Sequence, residues 1–122
     1  MAKKVLVVDD EPDVAVFLRT ALKKHGYEVV VAENGIEGLE IAKREKPDLI
    51  TLDLMMPRQT GTDMYRNLSR NKELSQIPII VISGLSGRHL AVTKPFAVFD
   101  KPVDPDEFIQ TVKRAIGEPG DA

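Results

Sequence analysis

Five short apolar runs rich in β-branched residues punctuate the chain, at 5–8, 28–31, 49–52, 79–82 and 96–99. None alternates apolar with polar positions, so each reads as a strand covered on both faces, as in a parallel sheet sandwiched between helices. Between the first two runs, Val14, Phe17, Leu18, Ala21 and Leu22 recur at helical spacing and predict one buried stripe, with Pro12 in the first turn and Gly26 past the end. A second helix is expected after Asn34, with Ile36, Leu39, Ile41 and Ala42 inward, stopping before Pro47 because the residue preceding a proline avoids the helical region. A third is expected over 61–70, with Met64, Tyr65 and Leu68 inward. The last is the best marked: Asp104 as N-cap, Pro105 at the first position and Glu107 at the capping-box position precede Phe108, Ile109, Val112, Ala115 and Ile116, with Gly117 beyond. Strands alternating with helices predict an α/β fold, a doubly wound parallel sheet with helices on both faces. The stretch 83–95 is the thin part of the pattern, since 86–92 allows about two helical turns, and a helix there should be short or remodelled.

Length and composition narrow this to one domain. The chain has 122 residues, 43% of them hydrophobic and 30% charged, enough to bury a core without staples. The last residues, 118–122, read as a tail or the start of a linker, leaving 1–117 as the domain. With no cysteine, a disulfide scaffold, a thiolate metal site and a cysteine nucleophile are excluded together. Seventeen Lys and Arg against nineteen Asp and Glu give a net charge of −2, and no basic block suits a nucleic-acid backbone. The N-terminal apolar run is too short for an export signal, and no stretch approaches a membrane span, so a soluble cytoplasmic protein with no direct nucleic-acid or membrane partner is expected.

Chemistry collects where the runs end. Asp9, Asp10 and Glu11 follow the first, Asp53 ends the third, Ser83 and Gly84 end the fourth, and Asp100, Lys101 and Pro102 follow the fifth. In a flavodoxin-like five-stranded sheet of order 2-1-3-4-5, carboxyl ends of strands share one crevice, and Asp9, Asp10 and Asp53 converge there. Crowded carboxylates raise the pKa of at least one member unless a cation joins them. Mg²⁺ suits such an oxygen set. A carboxylate beside Mg²⁺ can attack a phosphoryl group, which makes Asp53 the candidate nucleophile, Lys101 the counter-charge and the Ser83 hydroxyl a hydrogen-bond donor. The plainer alternative is that residues 9–11 simply favour the positive end of the first helix.

In their order and spacing, Val7-Val8-Asp9-Asp10-Glu11, Asp53-Leu54-Met55-Met56-Pro57 with Gly61, Val81-Ile82-Ser83-Gly84 and Lys101-Pro102 resemble the receiver domain of two-component response regulators, from Lys4 to about Gly117. The resemblance implies a phosphorylated Asp53, with Asp10 a direct Mg²⁺ ligand, Asp9 helping through water and the Met55 backbone carbonyl a further ligand. It also implies that Ser83 moves toward the phosphoryl group and that Lys101 precedes a cis proline. The implied phosphodonor is the histidine of a sensor kinase or phosphotransfer domain. The implied output is a downstream protein or a C-terminal output domain. The sequence departs from the family pattern at Val98, where an aromatic is common, and in the shortened span from Ser83 to Lys101. Two other readings stand beside this one: an interaction module independent of phosphorylation, and a hydrolase with Asp53 as nucleophile. Those hydrolases carry a second acid two residues on, where this chain has Met55.

Overall fold

The computed structural model describes residues 3–54, 56, 60–83 and 95–118, without the side chains of Thr60 and Ser83. Met55, the Ser83 hydroxyl and the expected short helix after it therefore lie outside the described residues. The elements are β1 (Lys4–Val8), α1 (Pro12–Lys24), β2 (Glu28–Ala32), α2 (Gly35–Glu45), β3 (Leu49–Asp53), α3 (Thr60–Arg70), a 3₁₀ turn (Leu74–Gln76), β4 (Ile79–Ser83), β5 (Ala97–Asp100) and α4 (Pro105–Ile116). All strand pairs are parallel, in the order β2-β1-β3-β4-β5. The expected doubly wound, flavodoxin-like sheet is thus present.

Two apolar layers flank the sheet. On one side Leu6, Val8, Ile50, Leu52 and Val81 meet Ile41 and Ala42 of α2 and Met64, Tyr65 and Leu68 of α3. On the other, Val5, Val7, Leu49, Ile80 and Ile82 meet Ala15, Leu18 and Leu22 of α1 and Phe108, Ile109 and Val112 of α4. Neighbouring residues of each strand feed opposite layers, which is why the runs had no polar alternation. Phe99 joins the second layer, its ring edge-on to Phe108 at 6.0 Å, while Val98 faces the other way and is 37% exposed.

Local signals hold at the helix ends. Asn34 caps α2 by accepting from the Glu37 N–H at 2.8 Å, and Asp104 caps α4 by accepting from the Asp106 and Glu107 N–H groups. Gly26 and Gly117 take positive φ just after α1 and α4, the conformation glycine adopts without strain. Lys46 closes α2 in the left-handed region, ahead of Pro47.

Helix phase differs from expectation at two positions. Ile36 of α2 is 68% exposed, and Gly35, Gly38, Ile41 and Ala42 form the buried face instead. The cause is close packing: a Cβ on Gly38 would sit 2.8 Å from the Met64 sulfur and 3.0 Å from a Val8 methyl, so the helix turns its glycines toward α3 and β1. Phe17 of α1 is 38% exposed, because Ala15, Leu18 and Leu22 face the sheet and leave Phe17 on the flank toward Pro102 and Val103.

Candidate functional site

The register of the strands builds the site. Val8 lies level with Leu52, so the next residues, Asp9 and Asp53, leave the sheet at one height, with Ile82 and Phe99 level across β4 and β5. Lys101 stands two residues beyond that height, about 7 Å at the rise of a parallel strand, a gap its four-carbon stem bridges by reaching back. Its ammonium lies 3.2 Å from Asp53 Oδ2 and 3.4 Å from Asp9 Oδ2. Its third partner is the Glu11 carboxylate. The Lys101–Pro102 peptide is cis, as the resemblance implies.

Asp9 and Asp53 are buried, while Asp10 is exposed. One carboxylate oxygen from each of the three lies within 4.8 Å of the others. Asp9 is held by two backbone contacts: its N–H donates to the Ala32 carbonyl at 3.1 Å, and its Oδ1 accepts from the Glu11 N–H at 2.9 Å. Burial pushes the Asp9 carboxyl up to about 6, the Glu11 N–H opposes that, and the nearby Asp53 charge adds to it. Crowding among the carboxylates contributes to that rise, but desolvation is the larger cause and like-charge repulsion the smaller. Burial works against the Lys101 charge, but the Glu11, Asp53 and Asp9 carboxylates outweigh it and hold its pKa above the ordinary lysine value.

The donor set fits a hard divalent cation. Three carboxylates gathered at the ends of two neighbouring strands, one of them kept from ionising freely by burial, gain when a cation replaces the missing water. The site opens beside Asp9 and Asp10 into a cavity that Pro12, Arg19 and Glu33 also line.

Gly61 fixes the floor. A Cβ there would meet the Asp53 carbonyl oxygen at 2.2 Å and Leu54 Cα at 3.0 Å, so the first turn of α3 rests directly on the backbone of the residue at the centre of the site. Sequence reasoning placed Asp9, Asp10, Asp53 and Lys101 together, and the structure brings those four together. It missed the pairing of Glu11 with Lys101, separated by 90 positions in the chain. One signal was present: Glu precedes Pro12 at the N-cap of α1, and Glu is not among the favoured N-caps. Its side chain makes no capping bond.

Set beside known proteins, the chain matches the family model described as response regulator receiver domain over residues 5–113. It therefore belongs to the response regulator receiver domains of two-component systems. Among curated relatives, it is 40% identical over 80 residues to protein PilH of Pseudomonas aeruginosa, an alignment covering 66% of each chain. It is 30% identical over 122 residues to the polar-differentiation response regulator DivK of Brucella anthropi, covering 97% of this chain and 99% of that one. Among solved structures, chemotaxis response regulator CheY4 of Vibrio cholerae superposes with a TM-score of 0.85 at 25% identity, covering 94% of this chain and 99% of that one. Among the described residues, no helix is long and apolar enough to cross a membrane.

Proposed function

We propose that the chain is a cytoplasmic phosphoacceptor in which Asp53 takes a phosphoryl group from the histidine of a sensor kinase or phosphotransfer domain. The observation that carries this reading is the placement of a buried Asp53 carboxylate 3.2 Å from the Lys101 ammonium and within 4.8 Å of ligand atoms on Asp9 and Asp10. An Asp53 Oδ attacks phosphorus as the phosphorus–nitrogen bond to the donor imidazole breaks, and the electron pair of that bond returns to the ring nitrogen. The product is a mixed anhydride, and attack by water on phosphorus later restores the carboxylate and releases inorganic phosphate. Asp10 and Asp53, with Asp9 through water and the Met55 carbonyl, would hold Mg²⁺, which supplies neutralising charge for the equatorial oxygens. Lys101 pairs with a phosphoryl oxygen, and the Ser83 hydroxyl donates to another.

Incubation with Mg²⁺ and acetyl phosphate tests the reading. The expected result is a mass gain of one phosphoryl group on the native chain and none on Asp53→Asn; an equal gain on both overturns it. Downstream, the added charge biases a surface near β4 and β5 that meets a partner protein or an output domain. A second reading, a receiver that binds its partner without switching, is favoured by Val98, an exposed aliphatic where the family pattern has an aromatic. Amide spectra with Mg²⁺ and beryllofluoride separate the two: shifts reaching β5 support the switch, and shifts confined to the strand ends support the second reading.

A further inference from the structure

We propose that Glu11 is the resting counter-ion of Lys101 and competes with the incoming phosphoryl group for it, so that Glu11 sets how tightly the modified state is held. The inference rests on the phosphoacceptor reading above. A lysine ammonium has three N–H donors. Here three carboxylates surround it: Glu11 and Asp53 accept hydrogen bonds from it, and Asp9 is ion-paired with it at 3.4 Å. A phosphoryl oxygen arriving on Asp53 therefore competes for Lys101 with the acceptors already beside it.

The three carboxylates are not equally free to withdraw. Asp9 and Asp53 sit at strand ends with side chains only 2% and 1% exposed, and both belong to the acidic cluster that suits a cation. The Glu11 side chain is 58% exposed and reaches in from the turn before α1. Its backbone is fixed by the N–H bond to Asp9, but its carboxylate caps no helical N–H. An acid at an N-cap whose side chain leaves the helix end uncapped is held elsewhere, and Lys101 is where it is held. Glu11 is the acceptor that can swing into water. Its negative charge also lies beside the position of the arriving phosphoryl oxygens, which adds repulsion to competition for the donor.

Beryllofluoride with Mg²⁺, a mimic of the phosphoryl group, gives the test by calorimetric titration. Glu11→Gln should tighten binding about two- to fivefold, the range expected for a largely exposed ion pair. Glu11→Ala should shift it the same way. Asp13→Asn removes the same charge two residues on, from a side chain that borders the cavity beside Lys101, and should change binding by less than the Glu11 variants do. In a Lys101→Met background the gain from Glu11→Gln should shrink, because the competed donor is gone. Unchanged or weaker binding by folded Glu11→Gln, or an equal gain in Asp13→Asn, overturns the inference while leaving the phosphoacceptor reading intact. Failure of the native chain to bind the mimic overturns both.

Discussion

Gly61→Ala tests how tightly the fold and the site are joined. Position 61 lies in the first turn of α3, where alanine improves helix propensity by about 1 kcal/mol. Propensity alone thus forecasts stabilisation. Against it stands the 2.2 Å approach of a new Cβ to the Asp53 carbonyl oxygen, when an ordinary carbon–oxygen contact needs about 3.3 Å. Something must move by about 1 Å, and the obstructing atoms are backbone rather than the end of a flexible chain. The helix cannot lift freely, because Met64, Tyr65 and Leu68 anchor it in the core. Overpacking of this kind costs about 1–3 kcal/mol, which meets or exceeds the propensity gain. The net expectation is a loss of up to about 2 kcal/mol, or several degrees in Tm for a chain of this size. The larger effect falls on chemistry: a displacement of about 1 Å at Asp53 lowers the rate of phosphoryl transfer by up to about 100-fold. Thermal melts and the rate of acetyl-phosphate-dependent mass gain measure both. A variant that melts at or above the native temperature and labels at the native rate refutes the reasoning. One that melts lower yet labels at the native rate shows that α3 yields and Asp53 does not.

Two further outcomes follow from buried polar groups. Asp9 has its folded pKa raised from 3.8 to about 6, so between those values the native state keeps a proton that the unfolded chain has lost. The cation-free protein should therefore lose stability relative to Asp9→Asn as the pH rises from about 4 to 7, by at most about 3 kcal/mol, and urea melts of both proteins across that range check the sign. Thr51, buried on β3 between Val7 and Ile80, carries a hydroxyl without a hydrogen-bond partner among the described residues. Thr51→Val keeps the β-branched shape and removes that group, and should raise stability by about 1 kcal/mol; a lower Tm would show that the hydroxyl is satisfied.

The positions of the elements were legible because their signals are local. Proline and glycine punctuate α1, Asp104 and Pro105 open α4, and the unbroken apolar runs announce a sheet covered on both faces. The acids and the lysine were legible for a related reason, since each stands at or just past the end of a strand, and parallel strands put such residues at one edge. Helix phase was less legible. Ile36 fits an apolar stripe as well as Ile41 does, and only the close approach of Gly38 to Met64 and Val8 decides which of the two is buried.

By itself the sequence determined the α/β class, the placement of the strands and the position of Asp9, Asp10, Asp53 and Lys101 at strand ends, because periodicity and strand-end position are properties of neighbouring residues. Tertiary structure alone decided which helix faces were buried, that Gly61 seats α3 on the Asp53 backbone, and that Glu11 turns from its own helix to Lys101. Each of these depends on a distance between segments far apart in the chain, and no local pattern encodes such a distance.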